Sequence, residues 1–357
     1  MTRNELTALI RTGRPVTGLH VQNLDLSAMN MSGAIFEQVH FNKINLQGAD
    51  LRGTVWRDSS ICGSDLQEAD CSRMRADRLN FSGSNLFRVN AIKAVWRSCD
   101  LTDVVLDEAN CTFLDGRNSK LIGTSLRQTQ LFRSDLRKAR LENGVLIGTN
   151  LERADLSGID LSGQSLEQVN CCKTFFTKAT LRETRFTHCR LACCFFDEAD
   201  LEKAVLNNSD LRGAQCGKAN LGGADLRWVQ AEAARFEEAD CVQTRFEEAG
   251  LAKAFFTHAR LDKALFLRAG LTRAMFSHAC CQGTSFAGAK LDFADLSHAD
   301  LTGADFRKAR LHFCRMHRIK AMGAKWHGAQ LETAIPTDKQ LQAAEEWRGS
   351  SSIRSSV

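Results

Sequence analysis

The sequence predicts a solenoid, one short structural unit stacked many times. Three observations predict it. Every fifth position from Val16 to Leu331 gives 64 consecutive centres, and all are Leu, Phe, Val, Ile, Met, Trp or Cys except Ala76, Ala91, Gly116, Ala231 and Ala321. Two residues before each centre, Ala fills 29 of the 64 positions, as in Ala49-Asp50-Leu51 and Ala299-Asp300-Leu301. Each small centre has a large residue in that earlier slot: Met74, Val89, Leu114, Val229 and Ile319. This is volume compensation inside one unit, so both positions are expected to face a narrow packed interior. A helix repeats at 3.6 residues and a strand at 2, so a sustained five requires a chain that turns a corner in every unit.

The elements follow in order. Thr2-Arg3-Asn4-Glu5 reads as a capping box, followed by Leu6, Leu9 and Ile10 and stopped by Gly13, which predicts a capping helix over 3–12 within an N-terminal segment 1–15. The repeat occupies 16–335. A second box, Thr337-Asp338-Lys339-Gln340, opens a helix over 338–347 with Leu341, Ala344 and Trp347 on one face. That helix is expected either to cap its own rod or to join two rods end to end as a homodimer. The closing residues of 336–357 are expected to be disordered.

The A-[DN]-L-x-x pattern, seen in GADLRG at 48–53 and SHADLTGADF at 297–306, resembles the pentapeptide-repeat family over about nine-tenths of the chain. The resemblance implies a right-handed quadrilateral β-helix with four pentapeptides per coil, hence about 16 coils here. At about 4.8 Å per coil the rod would be roughly 75 Å long. Sorting the centres at a spacing of twenty supports that coil: eight aromatic centres fall on the wall of Phe36, Trp56 and Phe256, and six on the opposite wall of Phe186, Phe246 and Trp326.

Composition narrows the class. No apolar run approaches the ~20 residues of a membrane span, and the N-terminus lacks a signal-peptide pattern. Ten of the 14 cysteines fall on inward positions, six at centres and four in the small slot, where a thiol acts as a small hydrophobe. Reduced thiols suit a bacterial cytoplasm. There is no phosphate-binding loop, no G-x-S-x-G, no H-E-x-x-H and no C-x-x-C pair. Asp and Asn before the centres recur in every region and mark the repeat, not a reaction. The chain therefore reads as no enzyme, with no cofactor.

Stacking turns the spacing of twenty into ladders. His258, His278 and His298 occupy equivalent outward positions. They suit a metal ion or a response to mild acid, although solvated surface histidines are the ordinary explanation. A basic ladder, Arg73, Lys93, Arg133, Arg153 and Lys173, interrupted by Phe113, lies on the one face with net charge, about +5. That stripe suits nucleic acid, a phospholipid surface or an acidic protein. Outward apolar residues mark candidate protein contacts: the pairs Phe175 and Phe195, Phe255 and Met275, Phe293 and Phe313, and the single Trp228.

The best-known members of the family resemble duplex DNA in shape and bind type II topoisomerases such as gyrase, an activity associated with an acidic rod. This chain carries +5 and leaves no room for projecting loops. It is more similar to the long Phe- and Cys-rich members that accompany type VI secretion clusters. The reading is a non-enzymatic protein-binding scaffold or adaptor, refined as an accessory for secretion effector or spike components, with no nucleic acid expected. The alternatives are a gyrase-binding DNA mimic and a secreted host-directed effector.

Overall fold

A chain that sends one large and one small side chain inward every five residues must reverse direction locally, and the backbone does so at a fixed place. The residue three before each centre, from Gly13 to Gly328, has φ between 46° and 72°. Eighteen of these 64 corners are Gly, and none of the other 46 is Val, Ile, Thr, Leu or Pro. The left-handed region explains that exclusion, because β-branching crowds the backbone there and proline cannot reach it. Each non-Gly corner costs about 1–2 kcal/mol locally, offset by the hydrogen bonds the corner permits.

Those bonds recur along the rod, with Ser hydroxyls of the next coil taking the turn N–H at Ile44, Ser64 and Cys99. The unit of Phe256 is representative. Ala254 N–H donates to Leu251 O at 3.1 Å and closes the turn, while Phe256 N–H donates to Met275 O at 2.7 Å and His258 N–H to Ser277 O at 3.1 Å. Phe255 N–H donates backward to Ala234 O at 2.9 Å. Asp or Asn before a centre accepts from the backbone two residues on, as Asp155 does from Ser157 N–H at 3.0 Å. This turn bond explains the recurring carboxylates without chemistry.

The computed structural model describes residues 1–346, and within them the chain is an all-β solenoid with two short helices. Pairing is parallel and joins residues twenty apart, from Val16 with Phe36 to Arg315 with Ile335. Extended strands of two or three residues form near the start, in a five-stranded sheet from Val16–Thr17 to Val95–Arg97 and a three-stranded one from His20–Gln22 to Ser60–Cys62. They recur only where Ser165–Glu167 pairs with Arg185–Thr187. Elsewhere the ladder shrinks to single bridges, since a corner in every unit leaves little straight backbone.

Every centre from Val16 to Leu311 is buried, and from Val39 to Cys314 the small slot is buried except at Gly144 and Gln164. Phe256 stacks on Phe236 and on Phe276 at 4.9 Å each, and meets Phe246 and Phe266 edge-on from across the interior at 5.8 and 5.6 Å. Where the slot holds Thr, other than Thr54, its hydroxyl donates to a carbonyl of the previous coil, as Thr244 Oγ1 does to Leu221 O at 2.7 Å. All fourteen cysteines are free thiols, and the ten inward ones are buried. Burial pushes Cys111 up to about 12, so that thiol is protonated and unreactive at neutral pH.

Helix α1 spans Arg3–Arg11 and carries the expected capping box: Thr2 Oγ1 accepts from Glu5 N–H, and Glu5 Oε2 accepts from Thr2 N–H at 2.8 Å. Leu6 is its buried residue. Helix α2 spans Lys339–Glu346 and departs from expectation in two ways. Asp338, not Thr337, caps it, accepting from Gln340 and Leu341 N–H at 2.8 and 3.1 Å. Thr337 is already engaged, its hydroxyl accepting from Arg318 N–H. Leu341 is exposed and α2 buries no residue. Among the described residues the helix therefore covers no apolar end; carboxylates hold it to the side of the rod. Met316, Ala321, Trp326 and Leu331 in the last coil stay partly buried. Trp347 and the closing tail lie outside the described residues.

Candidate interaction face

The corner column of Arg73, Lys93, Phe113, Arg133, Arg153 and Lys173 runs beside an outward wall column that contains Phe175 and Phe195. Each is two residues from the other in the same unit, so the basic ladder and the Phe pair, separate in sequence, share one face. Phe113, Arg133, Arg153, Lys173, Phe175 and Phe195 line an open groove of about 660 Å³. Phe175 and Phe195 stack at 4.5 Å and 6°. The Arg133 guanidinium lies 5.9 Å from the Phe113 ring and Lys93 Nζ lies 6.0 Å from it, within range of cation–π attraction.

The cations here are electrostatically free. Among the described residues Arg73, Lys93, Arg133 and Lys173 have no carboxylate partner, and Arg153 has only Glu152 at 4.0 Å. By contrast Arg137, on a neighbouring column, is held by Asp135 at 2.6 Å and Asp155 at 3.3 Å. The other apolar candidates continue along the same face. Phe255 and Met275 extend the wall column, Phe293 and Phe313 stack at 5.1 Å on the corner column, and Arg273 lies 5.8 Å from the Phe293 ring. Met275, Phe293, Phe313 and Arg273, with Asp295, Arg315 and Ile335, line a second groove of about 530 Å³. Trp228 is exposed on a different corner, beside Arg227 at 5.0 Å. Arg273, Arg315 and Ile335 are additions that joint sorting of corner and wall positions would have found in the sequence.

The histidine ladder stacks as its spacing requires: His258 on His278 at 5.0 Å and His278 on His298 at 4.6 Å. Parallel rings aim their nitrogens side by side, not at one point. Burial, then the neighbouring His298 and His258, pushes the His278 ring below its ordinary range. The cluster that does converge was not legible in the repeat: His298, His317 and Glu345 offer ligand atoms within 4.8 Å of one another. His317 Nδ1 accepts from Asp338 N–H at 3.1 Å, so the neutral ring carries its proton on Nε2 and donates to Glu345 at 3.3 Å. A metal ion at Nε2 would need that lone pair and the opposite tautomer, facing a backbone donor. Arg318 also holds Glu345, at 3.1 Å. The geometry fits a latch for α2 better than a metal centre.

Burial alone would raise the Glu345 carboxyl, but hydrogen bonds from His317 and Arg318 outweigh it and hold it below 4.5. A depressed carboxylate contributes stability above its unfolded pKa and loses it as pH falls through the folded value. Amide protection in α2 is therefore expected to persist at pH 7 and to be lost only as pH falls below the ordinary glutamate range. Glu345→Gln should reproduce that loss at pH 7, measured by hydrogen exchange; unchanged protection would contradict the latch.

A repetitive rod with a filled interior, carrying two grooves lined by cations and aromatic rings, defines a solenoid repeat protein. The chain matches the family described as "Pentapeptide repeats" in eight copies, over 22–55, the overlapping stretch 117–227, 232–268 and 284–320, and it belongs to that family. No curated protein sequence matches it. Among solved structures it is similar to HetL, a pentapeptide repeat protein involved in heterocyst differentiation regulation from the cyanobacterium Nostoc sp. Strain PCC 7120, at 26% identity over 68% of this chain and 91% of that one, TM-score 0.24. It is also similar to QnrB1, a plasmid-mediated fluoroquinolone resistance protein, at 15% identity over 56% and 92%, TM-score 0.33. A pentapeptide repeat protein of the Arabidopsis thaliana thylakoid lumen matches at 29% identity over 27% and 72%, TM-score 0.16. No helix in the described residues is long and apolar enough to cross a membrane.

Proposed function

We propose that this protein is a non-enzymatic scaffold whose groove of exposed aromatic rings and cations, the unpaired Arg133 and Lys173 among them, binds a protein partner. The observation that carries the reading is the convergence of Arg133, Arg153, Phe175 and Phe195 on one groove. Free cations beside exposed rings are a binding surface, not a stability device, because packing or salt bridging would otherwise have consumed them. The reading includes a right-handed quadrilateral rod of about 16 coils over 16–335, which the offset of twenty between paired residues supports. Segments 1–15 and 336–357 flank it. Buried free thiols favour a reducing compartment, the bacterial cytoplasm.

The type VI secretion refinement rests on the resemblance of the repeat, and adjacent spike and effector genes are its test. The topoisomerase-mimic alternative shares the family but calls for an acidic rod, whereas this face offers unpaired Arg and Lys. A photocrosslinking residue at Phe195 should trap a partner in the native cell; the same residue at Val205, on the wall two pentapeptides away, should not.

A further inference from the structure

The basic and aromatic face invites a more specific question: which chemistry completes it. Phe175 and Phe195 stack on each other at nearly the coil spacing, 4.5 Å and 6° apart. Their stacking axis follows the rod, so the ring faces are turned to each other and the edges point outward. The Phe113 face is approached by Arg133 and Lys93. The Phe175 and Phe195 faces turned to each other, and the Phe113 ring beside Arg133 and Lys93, are thus occupied. Nucleic-acid bases bind single-strand grooves by stacking on open ring faces, and this groove offers few. What it offers is aromatic edges, which carry partial positive charge, between Arg133 and Lys173, which lack carboxylate partners among the described residues, and Arg153, which has only Glu152 at 4.0 Å.

We infer that the groove around Phe175 and Phe195 receives an extended acidic segment of a partner protein, with its carboxylates on Arg133, Arg153 and Lys173 and its apolar side chains on the Phe edges. This rests on the binding-scaffold reading and names the partner chemistry. Charge complementarity carries it. The carboxylates meet Arg133 and Lys173, which no internal acid neutralises among the described residues, and Arg153, whose one acidic neighbour is Glu152 at 4.0 Å; each apolar side chain meets a surface that water now covers. From the coil of Phe113 to that of Phe195 is about 20 Å of rod, the reach of about six extended residues. A short linear motif therefore fills the groove.

The test uses the full chain and a fluorescent nonapeptide of three Glu-Glu-Phe repeats. It is compared with Lys-Lys-Phe and Glu-Glu-Ser repeats, oligo-dT of matched length and phosphatidylserine vesicles. Glu-Glu-Phe should bind at least about tenfold more tightly than either control peptide, a gap of about 1.4 kcal/mol. It should weaken with salt and lose about tenfold in affinity in Arg133→Glu with Arg153→Glu. Glu already occupies left-handed corners at Glu183 and Glu198, so the variant keeps the backbone, and an unchanged melting temperature verifies it. Equal binding of the three peptides, or indifference to the double variant, overturns the inference. Tighter binding of oligo-dT or vesicles also overturns it and assigns the face to nucleic acid or lipid. If the peptide fails while crosslinking from position 195 still traps a protein, only the acidic-segment inference falls; if both fail, the scaffold reading falls too.

Discussion

Phe256→Ala is expected to destabilise the rod by about 3–5 kcal/mol. Phe256 is fully buried, stacks on Phe236 and Phe276, and touches Phe246 and Phe266 edge-on. Truncation removes its transfer free energy and leaves a cavity that cannot collapse, because the backbone on either side is fixed by hydrogen bonds to two neighbouring coils. Its neighbours lose two stacked and two edge contacts at once, each pair worth about 0.5–1.5 kcal/mol beyond area. In a solenoid each coil touches only the next, so the loss should appear as uncoupling near residue 256, not uniform softening. Denaturant unfolding with hydrogen exchange checks both points. A loss under about 1 kcal/mol would mean that the aromatic ladder is replaceable filling.

Phe175→Asp with Phe195→Asp is expected to weaken partner capture at least about tenfold while leaving the fold intact. The wall column tolerates Asp, since Asp155 bridges to position 175 one coil earlier and Asp135 precedes it. The change removes the apolar floor of the groove and places two carboxylates among the cations meant for the partner. Retained capture at an unchanged melting temperature would remove this patch from the binding surface.

Much of the fold can be read from residues. The five-residue centres, the Ala slot and the compensated pairs such as Leu114 with Gly116 encode an inward pattern that the structure repeats. The corner was equally readable, through the absence of Val, Ile, Thr, Leu and Pro from one position in five, but hydrophobic periodicity does not look there. The candidate face was half legible. Arg133 and Phe175 were each visible as departures from the repeat, yet their meeting depends on how a corner and the following wall turn toward solvent. The α2 latch was not legible. Glu345 reaches His298 and His317 because the chain leaves the register after Ile335, and no periodicity governs where it goes next. The capping box at Thr337 failed for the same reason, since Arg318 from the previous coil claims that hydroxyl.

The central claim is that one face of this rod, the face of Phe195, meets a protein partner. Photocrosslinking in the native cell from position 195, with position 205 as the opposed wall, tests it most directly. A discrete crosslinked protein is expected from 195 and none from 205. Trapping from 205 alone, or equally from both walls, would contradict it.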